Sequence, residues 1–175
     1  MYKAVIYDFD GTIAKTPLRI HAHLNAGAEK YGIRNISLRR IMKLRDERDF
    51  KILRQQGLSW YKLHKIYKMN KEITEKIKQE AHNIKIYDGI EEVLLKSKEK
   101  GYLNGIVTRN IKETVEIILR ENKIADLFDF IYGRQNIVKE AARRFNKVPK
   151  LMNAIKERKL NRGYTFYVGD EVVDI

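Results

Sequence analysis

Apolar and polar positions along the chain follow two different rhythms. Ala4, Val5, Ile6 and Tyr7 form a short continuous apolar run, the pattern of a buried strand, and it stops abruptly at Asp8-Phe9-Asp10-Gly11-Thr12. From about Lys15 to about Ile84 no strand pattern occurs, and the spacing predicts helices over roughly 17–31, 37–56 and 59–82. Pro17 suits a first helical turn, where its missing N–H costs little. Gly32 and Gly57 follow periodic stretches and suit helix ends. Trp60, Leu63 and Tyr67 recur at helical spacing, as do Ile66, Ile73 and Ile77, and the lysines between them fall on the solvated side.

From Ile86 onward, short apolar runs alternate with helical stripes. Asp88 with Glu91 predicts a capping box that opens a helix reaching about Lys100, where Gly101 ends it. Leu103–Thr108 predicts a strand. Asn110 with Glu113 predicts a second capping box, ahead of an apolar stripe at Ile111, Val115, Ile118 and Leu119. Phe130–Tyr132 predicts a third strand, Val148–Lys159 a helix, and Tyr164–Val168 a fourth strand that ends at Gly169-Asp170. Strands alternating with helices define an α/β fold with a mainly parallel sheet, interrupted after its first strand by an all-helical insertion. The expected division is a core of 1–14 with 86–175 and an inserted helical domain of 15–85.

Composition narrows the class. With 175 residues the chain can bury a substantial core. It has no cysteine, which excludes disulfides and thiolate metal sites and fits a reducing compartment. No apolar run approaches the ~20 residues of a membrane span. The chain starts on a strand-like segment without a signal-peptide pattern, so a soluble cytoplasmic protein with no membrane partner is expected. Net charge is +13 and uneven: residues 15–85 hold 18 basic and 7 acidic residues, whereas the rest hold 18 and 16. Such a basic segment attracts anionic partners, phosphorylated metabolites or nucleic acid. His21 and His23 point in different directions on a helix and do not form a zinc pair.

The chemistry concentrates where strands end. In parallel sheets, ligands bind beyond the carboxyl ends of the strands. The first strand delivers Asp8 and Asp10 to that rim, the second Thr108, Arg109 and Asn110, and the fourth Asp170, with Asp174 four residues later. A lysine at a helix start, Lys147 or Lys150, precedes the fourth strand. Crowded carboxylates need a cation among them, and Mg2+, which takes oxygen ligands, is the natural one. Metal, lysine and a helix N-terminus together make a site for a phosphoryl group. Asp8 can then act as nucleophile, and Asp10 can protonate the leaving oxygen and later activate water. Gly11 lets the chain turn, and Thr12 holds the turn through its hydroxyl.

These residues carry a family resemblance. DFDGT at 8–12 resembles the signature of the haloacid dehalogenase-like hydrolase superfamily. Thr108 after an apolar strand, Lys147 in FNK at 145–147, and YVGDEVVD at 167–174 follow in the family's order. The resemblance covers the core and implies a three-layer α/β/α, Rossmann-like domain carrying an α-helical cap at 15–85 that reads the substrate. It implies phosphoryl transfer through an aspartyl phosphate on Asp8, with Asp10 as general acid/base. Thr108 would bind the phosphoryl oxygens, Lys147 would neutralise charge, and Mg2+ would be held by Asp8, the Asp10 carbonyl and Asp170, with support from Asp174. Candidate substrate-binding groups are Thr12, Thr108, Arg109, Asn110 and Lys147, although Asn110 also reads as a helix cap. Glu171 reads equally as a metal partner or an exposed cap.

The expected activity is that of a Mg2+-dependent phosphatase acting on a small phosphate monoester. A phosphomutase on the same scaffold, or a nucleic-acid-binding protein using the basic segment, are the alternatives. Dehalogenases of the family usually lack the second aspartate, so Asp10 argues against that chemistry. The chain departs from the family pattern at Lys15-Thr16, where an acidic residue and serine are common, and at Asp88-Gly89, where Pro-Gly is common. It also stops one residue after the last motif, so the sheet edge beyond the fourth strand is expected to be bare or covered by another chain. Cap movement would hinge near 14–16 and 83–87.

Overall fold

The computed structural model describes residues 1–31, 37, 63–135 and 147–170. The helix expected over 37–56 falls almost wholly outside the described residues, as do Gly32, Gly57, Trp60, Tyr61, Phe145, Asn146, Glu171 and Asp174. Four strands, β1 (Tyr2–Tyr7), β2 (Tyr102–Ile111), β3 (Phe130–Arg134) and β4 (Leu160–Val168), form one sheet in the order β3-β2-β1-β4. Every pairing is parallel, with Ile6 opposite Gly105 on one side and Tyr167 on the other.

Five helices are described: α1 (Thr16–Tyr31), α2 (Leu63–Gln79), α3 (Ile90–Glu99), α4 (Lys112–Glu121) and α5 (Lys147–Glu157). Right-handed crossovers assign each core helix a face. Chain progress from β1 through β2 to β3 keeps α3 and α4 on one face, and the return from β3 to β4 carries α5 to the other. This is the expected three-layer α/β/α arrangement. Under α5, Ala4, Ile6, Val107, Phe130, Ala154 and Leu160 form a buried cluster, extended by Leu151, Ile155 and Tyr167. Gly105 makes room there, because a Cβ at this position would collide with the Phe130 ring of the paired strand.

On the opposite face, fully buried Asn104 interrupts the apolar pattern of β2. Its amide donates to the Leu94 carbonyl at 3.0 Å and the Leu127 carbonyl at 3.1 Å. Its backbone N–H donates to Asp129 Oδ2 at 2.7 Å, so one residue fastens α3 and the 125–127 turn to the sheet. The depth is tolerated at the amide nitrogen, whose donors meet acceptors, while Oδ1 is buried without a partner among the described residues.

The chain divides into two compact units, Met1–Lys15 with Ala81–Asp170, and Thr16–Glu80. In the second, α1 packs on α2. Met69, Ile73 and Ile77 are buried, while Lys30 pairs with Glu72 at 2.9 Å and Arg19 with Glu80 at 3.2 Å. Within the first unit, the segments that flank this insertion lie side by side. Ala14 and Ile86 form an antiparallel bridge, Lys15 N–H donates to the Lys85 carbonyl at 2.9 Å, and Tyr87 N–H donates to the Ile13 carbonyl at 2.9 Å.

Some local expectations need correction. The Asp88–Glu91 capping box does not form. Gly89, at φ +82°, is the N-cap of α3 and makes no side-chain cap bond, and Asp88 pairs instead with Lys15 at 3.2 Å. The Asn110–Glu113 box does not form either: Ile111 is the N-cap of α4. β2, β3 and β4 are all longer than their apolar runs, because pairing resumes beyond a register shift, at Ile111 with Arg134 and at Tyr2 with Leu160, where the side-chain pattern gives no signal.

Candidate active site

Asp8 is the first residue beyond β1. Its N–H continues the ladder by donating to the Val168 carbonyl at 2.8 Å, and this fixes its height against the end of β4. The carboxylate is buried. Oδ1 accepts the Phe9 N–H at 2.7 Å, and Oδ2 accepts from Lys147 Nζ at 2.7 Å. Lys147 opens α5, and its side chain is only 11% exposed against 3% for that of Asp8. Two charges this far from water are tolerated because each neutralises the other through a short charge-assisted bond. The Tyr167 ring, 6.0 Å from the ammonium, lines the same space. Lys150, one turn along, points its ammonium to the Gly133 carbonyl at 3.1 Å. Of the two candidate lysines, Lys147 is the one in contact with Asp8.

After Asp8 the chain closes a tight loop. The carbonyl of fully buried Phe9 accepts N–H bonds from Ile13 and Ala14, each at 2.9 Å, and Gly11 N–H donates to the Ala14 carbonyl at 3.0 Å. Gly11 has φ +87°, and the Asp170 carboxylate rests where its Cβ would be. Only glycine satisfies both conditions. Thr12 Oγ1 lies 3.5 Å from Asp170 Oδ1, at the outer limit of a hydrogen bond. Together these contacts bring Asp170 from the end of β4 against the loop that carries Asp10.

A comparison of two glycines isolates the value of this approach. Gly89 has φ +82° but open space around its missing Cβ. Both Gly11→Ala and Gly89→Ala are expected to cost about 1–2 kcal/mol of backbone strain. Gly11→Ala is expected in addition to displace Asp170 and lower turnover roughly tenfold to a hundredfold, since small misplacements of reacting groups are expensive. Chemical denaturation with steady-state kinetics on both variants checks this. Equal turnover in the two would contradict it.

At the end of β2, Thr108 is buried and its Oγ1 accepts the Asn110 N–H at 3.1 Å, which leaves the hydroxyl proton for a ligand oxygen. Asn110 does not act as the expected capping residue. Its Oδ1 accepts the Ile111 N–H at 2.7 Å, and its Nδ2 donates to Asp10 Oδ1 at 2.9 Å. Arg109, between them, is half-buried. The β2–β3 register shifts between Val107 and Ile111, at the stretch where these residues leave the ladder. The link from Asn110 to Asp10 was not foreseen from the sequence. The clue available was that both residues follow apolar strands that a parallel sheet can set side by side.

Among the described residues, no three His, Cys, Asp or Glu side chains form a metal-binding group. The described rim offers two carboxylates on neighbouring strands, Asp8 and Asp170, one of them seated on the loop after the other. That donor set suits Mg2+, which is commonly held by one or two carboxylates and completes its shell with water and substrate phosphate.

The family described as haloacid dehalogenase-like hydrolase matches residues 5–175. The chain belongs to this family. A curated relative, phosphoglycolate phosphatase from Synechococcus elongatus, is 23% identical over 174 residues, covering 99% of this chain and 77% of the relative. Among solved haloacid dehalogenase-like structures, a hydrolase from Streptococcus pneumoniae superposes with a TM-score of 0.77 at 17% identity, covering 99% of this chain and 78% of the other. CbbY from Rhodobacter sphaeroides, solved in complex with phosphate, superposes with a TM-score of 0.70 at 19% identity, covering 99% and 80%. At such identities the structural likeness establishes the haloacid dehalogenase-like fold.

Proposed function

We propose that this protein is a Mg2+-dependent phosphatase that hydrolyses a small phosphate monoester through an aspartyl phosphate on Asp8. The observation that carries the reading is the buried Asp8 carboxylate held at 2.7 Å by the Lys147 ammonium, at the end of β1 and beside the loop that carries Asp10 and against which Asp170 rests. A structural ion pair alone has no need of a second and third carboxylate around it.

An Asp8 oxygen attacks phosphorus, and the bond from phosphorus to the leaving oxygen breaks. Asp10 gives its proton to that oxygen, so the product leaves as an alcohol. A water then attacks the phosphorus of the acyl phosphate while Asp10 takes the water's proton, which releases phosphate and restores Asp8. Thr108 donates its hydroxyl proton to a phosphoryl oxygen, and Lys147 balances the charge shared between Asp8 and the phosphoryl group. Asp8, Asp170 and the Asp10 carbonyl would hold the Mg2+, with Asp174 in support; the ion would supply further neutralisation of the phosphoryl oxygens. The helical unit would serve as the cap that selects the substrate, and its basic composition favours strongly anionic esters.

The test is phosphate release by the purified protein from a panel of monoesters, with phosphoglycolate first because a relative bears that name. Release is expected with Mg2+, to vanish with EDTA and to return with excess Mg2+. Mg2+ is also expected to raise the melting temperature by relieving repulsion among the carboxylates. No release from any ester in the presence of Mg2+ would overturn the reading.

A further inference from the structure

Within the phosphatase reading, on which this step rests, Asn110 takes no part in the steps given above. Asn110 lies on β2, 100 residues from Asp10 in sequence, and its Nδ2 donates to Asp10 Oδ1 at 2.9 Å. The direction of this bond is fixed from behind. Asn110 Oδ1 accepts the Ile111 N–H at 2.7 Å, so the amide cannot turn over without facing one donor with another. Its own N–H is tied to Thr108 Oγ1 at 3.1 Å. The residue is thus anchored by Thr108 before it and Ile111 after it, and its side chain presents a single kind of group, an N–H donor, to Asp10.

A carboxyl group has two oxygens, and an acid catalyst must carry its proton on the one that faces the leaving group. A donor directed at Oδ1 disfavours a proton there, because two N–H and O–H donors would meet. We propose that Asn110 is a positioning residue for Asp10: it occupies Oδ1, fixes the carboxyl rotamer, and so reserves Oδ2 for the proton that passes to the leaving oxygen and is later recovered from water. Asn110 acts through Asp10 and does not need to touch the substrate.

This assignment has a readout that loss of packing does not share. Proton donation matters greatly when the leaving group is a basic alkoxide and little when it is a stabilised phenolate. Asn110→Ala and the isosteric Asn110→Asp, which keeps an oxygen for the Ile111 N–H, would be assayed on alkyl phosphates and on p-nitrophenyl phosphate with Mg2+ present. The expected result for both variants is a fall in kcat/KM of about 10- to 100-fold on alkyl phosphates, a fraction of the usual worth of acid–base catalysis, and of less than about threefold on the aryl ester. An equal loss on both ester classes, or no loss on either, would overturn the assignment while leaving the phosphatase reading intact. A wild-type protein without activity on either class would overturn both.

Discussion

Asp8→Asn is expected to lower phosphate release by at least about 10^4-fold on every substrate, since it removes the attacking atom's charge and with it the covalent route. The substitution changes shape very little. Its one carbonyl oxygen can still accept either the Phe9 N–H or the Lys147 ammonium, but not both as the carboxylate does at 2.7 Å each. One buried donor therefore loses its acceptor, at a cost of about 1–3 kcal/mol. Relief of repulsion from the neighbouring carboxylates offsets part of that. Thermal melts alongside a sensitive phosphate assay check both halves. A folded Asp8→Asn protein that retains a tenth of wild-type turnover would remove Asp8 from the nucleophile's role.

Lys147→Met is expected to be the second most damaging change. Methionine fills similar space but leaves the Asp8 carboxylate, 3% exposed, without its counter-charge. Breaking a buried pair by deleting one partner costs about 3–5 kcal/mol, so a marked fall in melting temperature is expected without metal. Added Mg2+ should restore much of that loss, because the ion supplies positive charge to the same carboxylates. It should not restore turnover, which is expected to fall by roughly 10^2- to 10^3-fold as for removal of other preorganised charge stabilisers. Lys150→Met is the control. That side chain donates to the Gly133 carbonyl at 3.1 Å rather than to Asp8, and its loss should change kcat by less than about threefold. Equal effects of the two substitutions would show that charge near α5, rather than contact with Asp8, is what matters.

The contrast between these lysines indicates what the sequence carries and what it does not. Strand ends, the Gly11 turn and a lysine at a helix start were legible because each is a local signal: an apolar run that stops, a glycine after two carboxylates, a basic residue ahead of a helical stripe. Their convergence was legible because parallel strands bring their carboxyl ends to one rim. The failures share one cause. Asp88 and Asn110 both carried the spacing of capping residues, and both are drawn away by partners distant in sequence, Lys15 and Asp10. A cap bond is worth about 1 kcal/mol, little enough for a tertiary contact to displace it. Asn104 looks in the sequence like any other strand position, because nothing nearby in sequence announces the Leu94 and Leu127 carbonyls it serves. The first residues of β4, Asn161, Arg162 and Gly163, lack an apolar pattern, yet their backbone lies within the strand.

The Ala14–Ile86 bridge, with its two flanking bonds, has an architectural meaning. It brings the exit and the return of a segment about seventy residues long to neighbouring positions, and it does so using only backbone atoms. Whatever joins those two points closes a loop whose ends are already fixed, so its length and composition can vary at small entropic cost. The bridge works as a socket: a different module with closely spaced termini could be exchanged there without altering the backbone that holds the two ends together.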